Sequence, residues 1–309
     1  MKKVIKKIPL SLSGVILGFA ALGNLLQSYG ESVRYVCGMA AAFLLLLLIL
    51  KLVMFPKLIK EDMQNPIMAS VSATFPMALM LLSTYIKPFI STGAKIIWFF
   101  AICLHIALIV YFTVKFILKI QFQKVFASYF IVYVGIAAAA VTAPVFEELK
   151  VGVFAFWFGL ITLFFLLILV TMRYIKYKNI PESAKPLFCI YAAPTSLCIV
   201  GYVQSVTPKS KAFLLVMLFA AKVFYVLALI KAIGYLKLKF YPTYAAFTFP
   251  FVISAIATKQ TMVCLANMKQ PLPILQYIVL IETVIAVLFV LYTFVRFMQF
   301  IFAGNLANK

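Results

Sequence analysis

Ten apolar segments of membrane-spanning length follow one another along the chain, and only short polar gaps separate them. A helix needs about 20 mostly apolar residues to cross the hydrocarbon core of a bilayer. The segments cover approximately residues 8–27, 33–54, 66–86, 93–114, 127–146, 151–172, 186–205, 210–233, 243–263 and 274–297. We therefore predict an all-α integral membrane protein, with residues 1–309 forming a single transmembrane domain.

The odd-numbered segments differ from the even-numbered ones in their interruptions. Thr74-Phe75-Pro76 in the third segment returns as Thr248-Phe249-Pro250 in the ninth, whereas no even segment has a proline in its middle. Proline inside a helix removes a backbone hydrogen bond and bends the helix. The expected kink positions are Pro9, Pro76, Pro144, Pro194 and Pro250.

This alternation predicts how the helices are arranged. A carbonyl freed by a kink must be covered by protein or water, and small residues allow helices to pack closely. We predict five helical hairpins repeated in parallel, with the odd helices forming an inner ring around a central pore. The alternative is that proline and glycine are simply common in spanning helices.

The distribution of lysine and arginine predicts the orientation. Most of the 28 cationic residues, including Lys2, Lys3, Lys6, Lys7 and Lys309, fall on the side that both termini share. Short cytoplasmic loops are rich in such residues, so both termini should be cytoplasmic, in a plasma or bacterial inner membrane. The basic start also resembles a signal peptide, but the first segment continues the proline and glycine pattern.

The distribution of charged residues predicts which ions the pore would favour. Both predicted mouths carry a net positive charge, which concentrates anions, while the central stretches of the odd segments contain no charged residue. We expect a neutral lumen lined by serine, threonine, glycine and aromatic side chains. Such a lumen suits fast passage better than proton coupling, which usually requires a titratable group on the path. The predicted lining residues are Gly14, Gly18, Thr74, Phe75, Thr142, Thr195 and Thr248.

Two charged residues lie far from the ends of predicted spans, Lys222 in the eighth and Glu282 in the tenth. We predict that they form an intramembrane ion pair, and the alternative is that Glu282 couples transport to protons. The five cysteines form no Cys-x-x-Cys motif and His105 is the one histidine, so we predict no metal site, no cofactor and no catalytic residues. A membrane-embedded enzyme is disfavoured because the spans hold no carboxylate pair, His cluster or Ser-His pair.

Three stretches resemble the tellurite-resistance/dicarboxylate transporter family, which includes malic acid transporters and slow-type plant anion channels. They are Pro9 with the following glycines Gly14 and Gly18, Asn65-Pro66 leading to Phe75-Pro76-Met77, and Thr248-Phe249-Pro250-Phe251. The resemblance extends over the whole chain. It implies ten helices in a quasi-fivefold ring of hairpins, assembled as homotrimers in which each protomer has its own pore.

The resemblance also implies a gate. In this family an aromatic residue of the ninth-helix motif occludes the pore, and the matching position is Phe249. A packed core position is the alternative, because the chain contains 31 phenylalanines.

The leading functional hypothesis is therefore an anion channel that passes small inorganic or organic anions through the bilayer, with no nucleic-acid partner. The alternative is a proton-coupled C4-dicarboxylate (malate-type) or tellurite-related secondary transporter.

Overall fold

The computed structural model describes residues 2–302, all of whose regular structure is helical. The predicted ends of the domain, residues 1 and 303–309 with Lys309 among them, lie outside the described residues. Within them, ten helical segments are long and apolar enough to cross a membrane. The predicted all-α membrane fold is confirmed. In order, these segments are Leu12–Tyr29, Glu31–Met54, Pro66–Ile86, Ser91–Ile117, Tyr129–Phe146, Leu149–Lys176, Glu182–Ser205, Lys211–Tyr235, Pro242–Asn267 and Ile274–Phe302, and we number them 1 to 10.

The even segments are continuous helices. Their bounds are Glu31–Met54, Ser91–Phe112 with a π-helical extension over Thr113–Ile117, Leu149–Lys176, Lys211–Tyr235 and Ile274–Phe302. Runs of leucine, isoleucine and phenylalanine favour an uninterrupted apolar helix. These five segments therefore need no interior partner for their backbone groups.

Each odd segment is instead built from shorter pieces. Segment 3 is divided into Pro66–Val71 and Thr74–Ile86, and segment 9 begins with a 3₁₀ stretch, Pro242–Phe247, before the α-helix Phe249–Asn267. The remaining odd pieces are Lys2–Lys7, Leu12–Leu26 and Gln27–Tyr29 around segment 1, Tyr129–Tyr133, Val134–Ile136, Ala137–Thr142 and Ala143–Phe146 in segment 5, and Glu182–Ala192 and Ala193–Ser205 in segment 7.

The prolines stand at the starts of these pieces. Pro194 and Pro250 are second in their α-helices, Pro76 is third in its own, and Pro144 is second in a 3₁₀ turn. Pro9 lies in the gap before the helix that begins at Leu12. First-turn N–H groups have no partner within their helix, so proline costs little there. The expected kinks are thus breaks between helical pieces and not bends within continuous helices.

Burial separates the two sets of segments. In the most apolar 18 residues of each segment, 67–89% of the residues of odd segments are buried, against 28–39% in even segments. Each odd segment packs against the next odd one, and segment 9 packs against segment 1, which closes the ring. Each odd segment also contacts the even segment that follows it. The fold is therefore an inner ring of five broken helices surrounded by five continuous ones.

Glycines let segments 1 and 9 approach closely where the ring closes. A Cβ added to Gly18 would lie 2.6 Å from Thr248 Cβ, and one added to Gly14 would lie 3.0 Å from Ala245 Cβ. The Thr248 hydroxyl group also donates a hydrogen bond of 2.9 Å to the Gly14 carbonyl oxygen. Any larger side chain at Gly18 must push the two segments apart.

We expect Gly18→Ala to lower the free energy of unfolding of the purified protein by about 1–3 kcal/mol, the usual cost of overpacking. Gly234→Ala in segment 8 is the matched control, because no atom lies within 4 Å of a Cβ added there. Since alanine is the better helix former, Gly234→Ala should be neutral or stabilising. Melting temperatures in detergent check this, and equal melting temperatures for both variants would contradict the close packing at Gly18.

Candidate functional site

All five odd segments line one narrow cavity inside the ring. We call it the N-side cavity, because its lining comes from the beginnings of these segments, where the helical pieces break. It has a volume of ≈ 50 Å³, which leaves room for only a few water molecules. One lining residue from each segment in turn is Gly14, Thr74, Phe130, Pro194 and Pro250. None of the residues that line the cavity is charged.

A second cavity, of ≈ 240 Å³, lies where the odd segments end, and we call it the C-side vestibule. Its polar lining residues are Asn24, Gln27, Arg34, Thr84, Thr142, Gln204 and Gln260. Because the beginnings of all five odd segments meet at one cavity and their ends at another, the five segments run in the same direction.

A wider recess of ≈ 440 Å³ shares Asn24, Gln204, Ile256 and Gln260 with the C-side vestibule. We call this recess the lysine pocket, since Lys209 and Lys259 line it as well. The N-side cavity, the C-side vestibule and the lysine pocket thus adjoin one another in that order, and the lysine pocket has cationic side chains in its wall.

Phe249 and Leu197 lie between the two cavities. They are the residues that line both the N-side cavity and the C-side vestibule. Phe249 is the first residue of the α-helical piece of segment 9, and the residue is 6% exposed. The break before Phe249 thus places an aromatic ring at the boundary between the two cavities.

Only some of the residues that were predicted to line the pore line one of the two cavities. Gly14 and Thr74 line the N-side cavity. Thr142 lines the C-side vestibule, where its hydroxyl oxygen accepts a 2.7 Å hydrogen bond from Trp98 Nε1. Gly18 and Thr248 lie outside both cavities and the lysine pocket, because they pack against each other.

Phe75 and Thr195, which were also predicted to line the pore, are not among the residues that line these three spaces. Successive helical residues are turned by about 100°, so Phe75 points in a different direction from its neighbour Thr74, which lines the N-side cavity. Thr195 is buried, and its hydroxyl group has no hydrogen-bond partner.

The N-side cavity has no charged lining residue, and aliphatic side chains dominate its lining. Leu17, Met77, Ile190 and Leu197 all line the N-side cavity, and none of them was predicted from the sequence to line the pore. In a chain that is 66% hydrophobic such residues carry no individual signal. For Leu197 the one available signal is its position three residues after Pro194, which places both on one helical face.

Lys222 and Glu282, the predicted ion pair, meet outside the two cavities. Lys222 Nζ lies 2.5 Å from Glu282 Oε1. Thr258 of segment 9 joins them, since its hydroxyl group donates to Glu282 Oε2 at 2.5 Å and accepts from Lys222 Nζ at 2.6 Å. This contact, which the sequence did not predict, ties segments 8 and 10 to the helix that begins with Phe249.

Comparison with known proteins identifies a matching family. No curated protein matches the chain. The sequence model of the voltage-dependent anion channel family, SLAC1, matches residues 7–298 and so includes all the residues of both cavities. The predicted relationship to slow-type anion channels and their transporter relatives is confirmed. That family comprises channels and transporters, not enzymes. The chain belongs to the voltage-dependent anion channel (SLAC1) family of membrane proteins.

Proposed function

We propose that the protein is a passive anion channel in which Phe249 is the gate of a neutral pore. The observation that carries this proposal is that the ring of Phe249, together with Leu197, lies between the N-side cavity and the C-side vestibule. A buried aromatic ring in a narrow apolar bore blocks ions sterically and makes the constriction hard to wet. Outward movement of this side chain would widen the boundary between the two cavities, where only Leu197 would remain.

The charges along the path favour anions. Arg34 lines the C-side vestibule and Lys209 and Lys259 line the adjoining lysine pocket, whereas no lining residue of either space is acidic. A mouth of one sign raises the local concentration of the opposite ion. The N-side cavity has no fixed charge that would hold an anion and slow its exit.

The lining of the path also favours passive conduction over the proton-coupled alternative. No titratable side chain lines the N-side cavity. Glu282, the acidic residue buried within a span, lies outside the cavities and is bonded to Lys222 and Thr258. Coupled C4-dicarboxylate or tellurite-related transport would require a proton carrier on the path.

The assembly and its setting are part of the same proposal. We infer a homotrimer with one pore in each protomer, in a plasma or bacterial inner membrane with both termini cytoplasmic. The apolar outer faces of the even segments suit contact with lipid or with neighbouring protomers. With this orientation the N-side cavity opens to the cytoplasm.

Reconstitution into planar bilayers tests the function directly. With a chloride gradient and equal pH on both sides, we expect currents that reverse at the chloride equilibrium potential and persist without a proton gradient. Protein-free membranes provide the control. Transport that requires acid on one side and saturates with malate would contradict the channel and support the coupled carrier.

A further inference from the structure

Segment 4, an outer helix, forms hydrogen bonds through its side chains with the broken segment 5. Within the described residues the bonded pairs are Trp98 with Thr142 at 2.7 Å, His105 with Val132 at 2.9 Å, and Thr113 with Tyr133 at 2.7 Å. The three residues of segment 4 follow one another at about two helical turns, which places them on one side of the helix. All three partners lie at or beside the last residue of an α-helical piece, either Tyr129–Tyr133 or Ala137–Thr142. Segment 4 therefore braces segment 5 at its breaks.

Of these contacts, the one made by His105 reaches the backbone of segment 5. Val132 is among the last four residues of its α-helical piece, and the carbonyl groups of such residues have no α-helical partner. The chain continues from there as a 3₁₀ piece, Val134–Ile136. Since a carbonyl oxygen can only accept, the hydrogen lies on His105 Nε2. His105 thus supplies a donor at a break in a spanning helix, where the bilayer offers none.

Packing alone does not account for a histidine at this position. His105 is 0% exposed, and its other ring nitrogen, Nδ1, has no hydrogen-bond partner. A buried polar atom without a partner costs free energy, which an apolar side chain of similar size would avoid. The bond from Nε2 to Val132 is the contact that only the polar ring provides.

Gly135 connects His105 to the N-side cavity. A Cβ added to Gly135 would lie 3.1 Å from His105 Cε1 and 2.7 Å from Met77 Sδ. Gly135, Met77 and Val134 all line the N-side cavity. Because the cavity has a volume of only ≈ 50 Å³, a small shift of this wall changes its width.

We propose that His105 is a positioning residue of the pore, which holds one wall of the N-side cavity in place through its hydrogen bond to Val132. Segment 4 lies outside the ring, so this bond draws the junction in segment 5 away from the cavity. Without it the carbonyl group of Val132 has no partner on the outer side, and the junction relaxes inward with Val134 and Gly135. The cavity then narrows and ions pass more slowly. The effect on conduction rests on the proposed channel function, whereas the hydrogen bond itself does not.

Single-channel recording of chloride currents in planar bilayers tests this role with two variants. His105→Leu removes the donor, and its conductance should fall about fivefold, the factor that corresponds to the net loss of one hydrogen bond. His105→Gln keeps an N–H donor at a similar distance from the backbone and should retain most of the conductance. An unchanged conductance in His105→Leu would overturn the proposal, as would an equally large loss in His105→Gln.

Thr113→Val is the matched control. It removes another hydrogen bond between the same two segments, but its partner Tyr133 lines neither the two cavities nor the lysine pocket. Thr113→Val and His105→Leu should both lower the melting temperature in detergent, whereas only His105→Leu should lower the conductance of each channel. Similar losses of conductance in both variants would mean that the contacts act through general stability, which contradicts a positioning role.

Magnetic resonance on the unaltered protein supplies a measurement that does not depend on the folding of a variant. His105 is the one histidine of the chain, so isotope-labelled histidine gives a single set of ring-nitrogen signals. We expect the hydrogen on Nε2 and slow exchange of that hydrogen with water. Chloride currents from a protein with the hydrogen on Nδ1, or with rapid exchange at Nε2, overturn the positioning role alone. The expected signal without any current overturns the channel and the positioning role with it.

Discussion

Phe249→Ala should raise the anion conductance of the reconstituted protein about tenfold or more. The ring of Phe249 separates the N-side cavity from the C-side vestibule, and alanine would leave only Leu197 at that boundary. Joining the cavities would make the constriction wider and easier to wet. A tenfold rise corresponds to about 1.4 kcal/mol removed from the barrier to passage. Single-channel recording in planar bilayers, with chloride as the carried ion, measures the change.

The chain supplies a matched control for this variant in the other copy of the tripeptide. Phe75→Ala removes the same ring from Thr74-Phe75-Pro76, but Phe75 lies outside both cavities and the lysine pocket. Its conductance should therefore stay close to that of the unaltered protein. If well-folded Phe249→Ala conducts no better than Phe75→Ala, Phe249 is not the gate.

The two tripeptides also show how far the sequence could predict this structure. Their prolines indicated interrupted helices, and both lie in broken inner segments of the ring. The contrast between broken odd segments and continuous even segments could be predicted from the sequence, because proline, glycine and runs of leucine act on the local backbone. That contrast sufficed to predict which helices are inside.

Which side chain of each tripeptide faces the pore was not predictable. In segment 3 the threonine lines the N-side cavity and the phenylalanine does not, whereas in segment 9 the phenylalanine lines the cavity and Thr248 packs against Gly18. An α-helical piece precedes the first copy and a 3₁₀ piece precedes the second. A 3₁₀ turn takes 3.0 residues and an α turn 3.6, so successive side chains are rotated by different angles in the two preceding pieces. The face of the following helix that points inward therefore differs between the two segments. Identical sequences therefore take different roles.

The pairing of Lys222 with Glu282 was predictable for a different reason. An isolated charge in a bilayer costs free energy, and charged residues within spans therefore tend to pair with one another. Their shared contact with Thr258 was not predictable. Threonine occurs throughout the spans, and its hydroxyl group often donates to a backbone carbonyl oxygen of its own helix. Thr258 also lies 3.0 Å from the Ser254 carbonyl oxygen, in that familiar arrangement. Only the packing of segments 8, 9 and 10 reveals the three-residue cluster.

Removing either member of the Lys222–Glu282 pair should destabilise the protein, and the two variants should differ. Breaking a buried pair costs roughly 3–5 kcal/mol in soluble proteins, and snorkelling reduces such costs in bilayers. The Glu282 side chain is 3% exposed and that of Lys222 is 22% exposed. Lys222→Met leaves a buried carboxylate with only Thr258 as a donor, whereas Glu282→Gln leaves a cation that can reach a more polar environment. Lys222→Met should therefore lower the melting temperature more.

The double variant, Lys222→Met with Glu282→Gln, should recover much of the lost stability, because no lone charge remains in the apolar setting. The control is Glu148→Gln, which removes the partner of Lys95 from a more exposed bridge of 2.7 Å with side chains 30% and 43% exposed. Exposed pairs contribute only about 0–1 kcal/mol, so that variant should melt close to the unaltered protein. Conductance per folded channel should change little in all four variants, since the pair lies outside the cavities. If Glu282→Gln instead melts normally and abolishes a pH-dependent uptake, Glu282 carries protons and the coupled transporter replaces the channel.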